Sequence, residues 1–210
     1  MTRPRDTRMP LAQAQALIDA HGFASLVDDS LQASHLPLVL ARDEGDLGTL
    51  YGHFARANPH WQALEGRRVL AIFQGPHSYV SPRWYAARPA VPTWNHATVH
   101  AGGTLERLDD AATLTALDAL VAKYEPELLD EPDIMSPAYR QRLLKGVVGF
   151  RIRLDELQGK AKLGLNRSRE DQAGVLTGLA DSADPLARQL GRYTERYAKT
   201  LIETESENDH

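Results

Sequence analysis

The sequence predicts an α+β fold in which antiparallel strands form a barrel and helices surround it. Two observations favour this fold class. In VVGFRIRLDEL, residues 147–157, apolar side chains alternate with Gly or charged residues, which is typical of a strand with one buried face. Between residues 23 and 73, short apolar runs are separated by Gly and Asp, and this texture indicates a block of strands.

Helical patterns lie on both sides of these strands. Residues 10–20, PLAQAQALIDA, carry apolar side chains on one face, and His21 and Gly22 end the pattern. The run VLAIF, residues 69–73, is apolar at five consecutive positions and predicts a strand covered on both faces. In chain order we predict a helix at 10–20, strands within 23–73, a strand at 94–103, a helix at 114–124, a connector at 125–137, a strand at 147–157 and a helix that starts at Asp184 and Pro185.

The composition is that of an ordinary globular chain. It has 210 residues, of which 42% are hydrophobic and 25% charged, so we expect one domain or a domain with an appendage. The absence of cysteine excludes disulfides, a thiolate nucleophile and a cysteine metal site. A net charge of -4 argues against direct nucleic-acid binding. With neither a signal-peptide pattern nor an apolar run long enough for a membrane span, we predict a cytoplasmic protein.

Aromatic and imidazole side chains are concentrated in one part of the chain. All three tryptophans and six of the eight histidines lie between residues 35 and 100. Core packing alone does not require that concentration, so it indicates a site in the strand-rich half.

Residues 52–61, GHFARANPHW, have the features of an anion site. Asn58 is a good N-cap and Pro59 suits a first helical position, which predicts a short helix over 59–65 that ends at Gly66. A helix start offers free N–H groups, and Arg56 can bind phosphate in a bidentate manner, with His53 as another donor. Because an Arg at a loop edge is rarely core, we expect Arg56 to matter little for folding. A capped helix with a solvated Arg fits the same residues equally well.

Other kinds of site are not predicted. His96 and His100 lie on a predicted strand, where a separation of four residues places them about 13 Å apart, too far for one metal ion. The sequence has no G-x-S-x-G elbow, P-loop or G-x-G-x-x-G fingerprint, so we assign neither a catalytic residue nor a metal ligand.

Five motifs follow one another along the chain: SHLPL (34–38), GHFARANPHW (52–61), FQGPHSYVSPRWY (73–85), VPTWNHATVHAGG (91–103) and LLKGVVGFRIRLDELQGKAKLGLNR (143–167). In this order they make the chain similar to the PaiB family, whose members are FMN-binding proteins of the negative-transcriptional-regulator type. Two departures from the family pattern stand out. The family usually opens with Met-Tyr and a nearby Pro, whereas this chain reads MTRP at residues 1–4. It also tends to have Lys-Leu-Ser-Gln-Asn-Arg where residues 162–167 read KLGLNR, without two of the hydrogen-bonding side chains.

The resemblance implies a split β-barrel with peripheral helices, like that of pyridoxamine-phosphate oxidases and flavin reductases. It also implies a homodimer with FMN at the subunit interface. We therefore expect an FMN-binding split-barrel domain over residues 1–180, and a C-terminal helix with an acidic tail over 181–210. The expected FMN contacts are Ser34, His35, Leu36 and Pro37 with Gln74 at the isoalloxazine, His53, Ala55, Arg56 and Asn58 at the phosphate, and Trp94 from the second subunit.

Three functions remain open at this point. The first is an FMN-binding protein that can act as an oxidoreductase, because a flavin supplies its own redox chemistry. The second is a transcriptional regulator that senses flavin or a metabolite through the same fold, although no helix-turn-helix with a basic recognition helix is evident. The third is a scaffold whose pocket has lost its ligand. Haem or F420 in place of FMN also stays open, and for Trp84 packing at a dimer interface is favoured over a ligand contact.

Overall fold

The computed structural model describes the backbone of residues 7–208 and the side chains of residues 7–203, so the opening MTRP lies outside the described residues. Three short 3-10 helices connect the longer elements, at Pro82–Trp84, Pro126–Asp130 and Leu144–Gly146. The strands and α-helices are α1 (Leu11–Ala20), β1 (Phe23–Val27), β2 (Ala33–Pro37), β3 (Val39–Ala41), β4 (Thr49–Ala55), α2 (His60–Leu64), β5 (Arg68–Val80), β6 (Thr93–Arg107), α3 (Asp110–Tyr124), α4 (Pro137–Leu143), β7 (Val147–Lys162), α5 (Arg169–Ala180) and α6 (Pro185–Asn208).

The strands form one seven-stranded sheet in the order β2-β1-β5-β6-β7-β4-β3. β1 pairs antiparallel with β2 and β5, and β4 pairs antiparallel with β3 and β7. The predicted α+β class with antiparallel strands is therefore confirmed. The predicted strand at 147–157 lies within β7, where apolar and charged residues alternate as expected. The run VLAIF lies within β5, but Leu70 and Ile72 are only half-buried, so the strand is not fully covered on both faces as predicted.

Contacts divide the chain into two compact units. The larger unit comprises residues 10–74 and 99–159. The smaller unit comprises residues 75–98, residues 160–208 and the described part of the first nine residues. Strands β5, β6 and β7 each contribute residues to both.

The larger unit has an aromatic core. Phe54 on β4 and Phe150 on β7 are completely buried, and their ring centroids are 4.9 Å apart. Gly52 permits this packing, because a Cβ at that position would lie 2.9 Å from the Phe150 ring. The inward positions of β7 alternate with outward Arg151 and Arg153, as the sequence pattern predicted.

Helix α3 covers the outer face of β7 at one close contact. A Cβ on Gly149 would lie 2.3 Å from Thr113 Oγ1, so only glycine lets the helix approach this strand. His53 of β4 pairs with Gly149 and Ala55 pairs with Val147. Both residues therefore lie on the outer face of β4, opposite the buried Phe54.

The smaller unit packs α5 against an aromatic side chain. A Cβ on Gly178 would lie 2.4 Å from the Trp84 ring, so Trp84 sits directly on this helix of its own chain. Helix α6 begins at Pro185 as predicted, and the Asp184 carboxylate accepts a hydrogen bond from the Leu186 amide. The helix continues to Asn208, through most of the predicted acidic tail. None of the helices described is both long and apolar enough to cross a membrane.

Candidate functional site

A buried hydrogen-bond network lies on the inner side of the corner that joins β4 to α2. The Ser34 hydroxyl of β2 lies 2.8 Å from His60 Nδ1, and the Asn58 carboxamide donates to Ser34 Oγ over 3.1 Å. Since Ser34 accepts from Asn58, its own hydrogen is available to His60. His60 is 1% exposed, and its ring packs edge-on against Phe54. The network thus connects two predicted motifs, SHLPL and GHFARANPHW, through their side chains.

The Asp28 carboxylate faces the far side of the His60 ring. Asp28 Oδ1 accepts hydrogen bonds from the Ser30 hydroxyl and from the amides of Ser30 and Gln32, which together close the β1–β2 turn. The Ser30 hydroxyl, more than any other group, holds the pKa of Asp28 below its ordinary value. Asp28 Oδ2 lies 3.5 Å from His60 Nε2, and this buried ring nitrogen makes no hydrogen bond within the described part of the chain.

The Asp28 carboxylate, the His60 imidazole and the Ser34 hydroxyl thus lie side by side in space, in that order. Ser34 is 7% exposed and His60 1%, and the hydroxyl is already engaged by two partners. Such a closed arrangement positions backbone and turn rather than offering a nucleophile to a substrate. Sequence reasoning missed Asp28 and His60 because neither contact follows from local spacing.

The predicted short helix has nearly its expected bounds. It covers His60–Leu64, with Pro59 just before it and Gly66 in the left-handed region at φ +68°. Asn58 Oδ1 accepts from the His60 amide over 3.0 Å, which is the capping role that was predicted for it. That first amide is therefore already used within the chain.

Arg56 lies on the outer side of the same corner. It is exposed, as predicted, but its guanidinium donates to the carbonyls of Lys145 and Val147 over 2.9 and 2.7 Å. The Arg56 amide also donates to the Gly146 carbonyl. The side chain therefore holds the start of β7 in place, and the expectation that it matters little for folding overlooked this role.

An open cleft in the larger unit brings Arg56 together with other cations. It is lined by Arg56, Arg142, Lys145 and Gln141, with Asp110 as the one carboxylate among its lining residues. Sequence reasoning missed Arg142 and Lys145, which approach Arg56 through the turn between α4 and β7. The basic segment YRQRLLK, residues 139–145, was the available signal.

His53 and Ala55 are the other predicted phosphate contacts on this outer face. His53 is half-buried, and burial lowers the pKa of its imidazole below the ordinary value. The imidazole is therefore neutral at physiological pH. Ala55 is exposed and ends β4 directly before Arg56.

The SHLPL strand distributes its side chains between two faces, because β2 alternates. Ser34 and Leu36 are buried, whereas His35 and Pro37 face outward. On that outward face His35 Nδ1 lies 3.0 Å from Ser25 Oγ, and the His35 and Phe23 rings are 6.3 Å apart.

Phe23 is an exposed aromatic residue that sequence reasoning missed. It is 67% exposed and pairs with Pro37 of β2. Because Ala24 pairs with Phe73, the next step of the antiparallel register places Phe23 across from the exposed Gln74. We call Phe23, His35, Pro37 and Gln74 the His35 face. The signal was present in HGFASLV, where Phe23 falls on the polar side of the alternation.

Trp94 belongs to the smaller unit and is 51% exposed. Its indole N–H donates to His77 Nδ1 over 3.2 Å, and the two rings are stacked with centroids 5.9 Å apart. Tyr79 packs edge-on against the same indole. The predicted site residues therefore fall into separate groups. Ser34 and Asn58 belong to the inner network, and His53, Ala55 and Arg56 lie at the outer corner. His35, Pro37 and Gln74 form part of the His35 face. Leu36 lies in the core, and Trp94 belongs to the aromatic cluster with His77 and Tyr79.

Comparison with known proteins gives the family of the chain and its relatives. Residues 1–156 match the family model described as "Putative FMN-binding domain". The chain is 37% identical over 174 residues to the protease synthase and sporulation protein PAI 2 of Bacillus subtilis, covering 81% of this chain and 83% of that protein. It is 33% identical over 189 residues to a protein of Emericella nidulans, covering 70% of this chain and 74% of the relative.

Two solved structures share the fold. The flavocytochrome Anf3 of Azotobacter vinelandii superposes with a TM-score of 0.59 at 19% identity, covering 80% of this chain and 75% of that one. The FAD and heme binding protein of Mycobacterium smegmatis superposes with a TM-score of 0.58 at 17% identity, covering 80% of each chain.

Proposed function

We propose how this protein holds and uses its cofactor, from the premise that the chain belongs to the PaiB family of FMN-binding split-barrel proteins. The predicted split barrel with bound FMN is thereby confirmed at the level of fold and cofactor. The proposal concerns the residues that bind FMN, the assembly and the reaction.

The observation that carries the proposal is the convergence of Arg56, Arg142 and Lys145 on one open cleft. Three cations against the single carboxylate of Asp110 fit the terminal phosphate of FMN, which is a dianion near neutral pH. Arg56 uses part of its donor set on two carbonyls, and a guanidinium has five N–H groups, so donors remain for the phosphate. The two carbonyls also fix its orientation before ligand binds, which reduces the entropy cost of binding.

We further propose that the isoalloxazine ring uses the His35 face. Phe23 and Pro37 offer flat apolar surface, and Gln74 and His35 offer hydrogen-bonding groups beside it. An exposed aromatic residue next to polar groups is typical of a ligand or partner surface. Ser34 and Asn58 do not contact the ring in this proposal. Their hydrogen bonds, with that of His60, attach β2 to the corner.

The proposed activity is that of a flavin-dependent oxidoreductase. Bound FMN supplies hydride and single-electron transfer, so the chain itself needs no acid–base pair. The residues of the corner bind the phosphate, and those of the His35 face orient the ring and exclude water from one side of it.

The proposed assembly is a cytoplasmic homodimer. The exposed cluster of His77, Tyr79 and Trp94 offers apolar surface for a second subunit. Light scattering at micromolar concentration is expected to give about twice the chain mass of 23.3 kDa. A Trp94→Glu variant should shift that equilibrium to the monomer, and a wild-type monomer mass at such concentration would contradict the proposal.

The phosphate site is tested by comparing FMN with riboflavin, which lacks the phosphate. A charge-assisted contact contributes about 1.5–3 kcal/mol, so Arg56→Ala should weaken FMN binding roughly ten- to hundredfold. Riboflavin should bind the wild type and the variant about equally. Fluorescence titration of flavin into the apoprotein measures both affinities.

The matched control is Arg67→Ala, which removes another exposed arginine of the larger unit, one that pairs with Asp29 outside the cleft. Its FMN affinity should stay within about twofold of wild type. Arg56→Ala should also lower the free energy of unfolding by about 1–2 kcal/mol, because two carbonyl bonds are lost. Equal losses for FMN and riboflavin would mean that Arg56 shapes the site without binding the phosphate.

A second candidate function is transcriptional regulation, which the resemblance to FMN-binding proteins of the negative-transcriptional-regulator type implies. On this chain the exposed cations Arg142 and Lys145 could meet DNA phosphates instead of FMN. We expect no sequence-specific binding by the isolated protein, because its net charge is -4. A footprint that persists at roughly 0.15 M salt, where non-specific contacts weaken, would favour the regulator.

A further inference from the structure

The smaller unit contains a cavity far along the chain from the corner residues. Its walls come from five segments: the end of the 3-10 helix at Tyr85, β6 at Asn95, the turn after β7, α5 and α6. It encloses about 50 Å³, well below the range of about 300–1,000 Å³ typical of sites for drug-sized molecules, so it can hold at most one small ring. We call it the Asn95 cavity.

Asn95 is the unusual residue of this cavity. It is 3% exposed, and within the described part of the chain its carboxamide makes no hydrogen bond to another protein group. Other polar side chains of the wall are engaged: Thr194 donates to the Leu190 carbonyl, and Gln172 donates to the carbonyls of Leu165 and Arg167. The Asn95 carboxamide faces the open space of the cavity, where its donor and acceptor are available to a ligand.

Gly164 keeps this amide open. A Cβ at position 164 would lie 3.7 Å from Asn95 Nδ2, so a side chain such as serine there could fill the space and bond the amide. Gly164 has φ +75°, a conformation that favours glycine in any case. The turn therefore leaves room in front of Asn95.

The remaining walls fit a flat and uncharged molecule. The Arg167 guanidinium lies 3.9 Å above the centre of the Tyr85 ring and pairs with Asp171, so its charge is largely balanced. Val175 and Leu163 supply apolar surface. Because Asp171 is balanced by Arg167, Glu195 leaves the wall with a net negative charge, which disfavours an anionic ligand.

We propose that the Asn95 cavity binds a small, neutral, planar ring with an amide-type edge, namely a lactam or a ring carboxamide. Such an edge presents an N–H beside a carbonyl oxygen, and the Asn95 carboxamide can pair with both groups at once. The same paired geometry lets asparagine bind the edge of adenine. No residue of the cavity wall is among the residues proposed to bind FMN, so the two proposals can be tested independently.

The test uses 2-pyridone, a one-ring lactam, and 2-methoxypyridine, which has the same ring without the N–H and carbonyl. Calorimetric titration of the full-length FMN-loaded protein should show saturable binding of 2-pyridone. The methoxy compound should bind at least about tenfold more weakly, because it leaves Asn95 unpaired. Absence of saturable 2-pyridone binding would overturn the proposal.

Two variants and one control locate the binding. Asn95→Leu should remove the preference for 2-pyridone, so that both compounds bind within about twofold of each other. Val175→Phe should fill the cavity and abolish both interactions, which keeps the test decisive if Asn95→Leu fails to fold. Asn166→Leu makes the same exchange at an exposed position outside the cavity wall and should bind like wild type. If Val175→Phe leaves 2-pyridone binding unchanged, the compound binds elsewhere and the proposal is wrong.

Discussion

The corner between β4 and α2 and the Asn95 cavity both contain buried polar residues, but the hydrogen bonding of these residues differs. At the corner, Ser34 bonds both His60 and Asn58, and Asp28 closes a turn with three hydrogen bonds. In the cavity, the Asn95 carboxamide has no bond to any described protein group. The comparison teaches that polar groups bonded to one another hold a fold together, even where one buried atom, His60 Nε2, makes no hydrogen bond, whereas an amide that faces a cavity stays available to a ligand.

The largest expected effect comes from breaking the corner at its centre. His60→Ala removes a completely buried ring, leaves a cavity beside Phe54 and deprives Ser34 of a partner. We expect the free energy of unfolding to fall by about 3–4 kcal/mol. Urea denaturation followed by tryptophan fluorescence measures it.

The control for this change is His100→Ala, which removes an exposed histidine of the same unit. Its effect should stay within about 0.5 kcal/mol. A loss below about 1 kcal/mol for His60→Ala would mean that the network is not a stabilising element, and the contrast with the cavity would fail.

The sequence allowed the corner to be predicted better than the cavity, for a physical reason. Asn58, Pro59 and Gly66 act within a few residues of one another, so their capping and turn preferences can be read locally. The partners of Arg56 at residues 145–147 depend on how β7 returns to β4, and no spacing rule predicts that pairing. The fold itself was predictable because long strands repeat a two-residue alternation, and the PaiB motifs supplied the flavin.

Sequence patterns could not reveal the Asn95 cavity. Its wall joins residues 85, 95 and 163–167 to two helices near the C-terminus, and an unpaired amide has no local signature. The segment KLGLNR at residues 162–167 lacks two hydrogen-bonding side chains that the PaiB family tends to have there. The structure shows where that loss matters, since Gly164 and Leu165 both line the cavity.

A smaller change in the free energy of unfolding is expected from single substitutions at the corner and in the Asn95 cavity, and its sign should differ between them. Ser34→Ala should lower the free energy of unfolding by about 1–2 kcal/mol, because Asn58 and His60 each lose a bond. Asn95→Leu, without added ligand, should leave the free energy of unfolding unchanged or raise it by up to about 1 kcal/mol, since no protein hydrogen bond is lost and apolar surface is gained in a cavity wall. Parallel urea titrations of the two variants and the wild type decide the point. Equal losses for both variants would make Asn95 a structural residue.

The smallest expected effect is on the pH dependence of the free energy of unfolding. His53 on the outer side of the corner and Asp28 on the inner side should affect it in different pH ranges. Burial lowers the pKa of His53 in the folded state, so the unfolded chain takes up its proton first. The contribution of neutral His53 is thus present above about pH 6.5 and is lost as the pH falls from there to the folded pKa. His53→Gln should flatten that part of the stability profile.

Asp28 should act in a lower pH window. Its folded pKa is lowered, mainly by the Ser30 hydroxyl, so its contribution is present above about pH 4 and is lost as the pH falls through the folded pKa. Asp28→Asn should therefore lower stability at neutral pH and converge with wild type in acid, whereas His53→Gln should differ from wild type in slope near pH 6. Urea midpoints measured from pH 3 to pH 8 for the three proteins give both windows. If the urea midpoint of Asp28→Asn is lower than that of wild type by the same amount at every pH, the turn depends on the shape of the side chain. The charge of Asp28 then has no part in stabilising the corner.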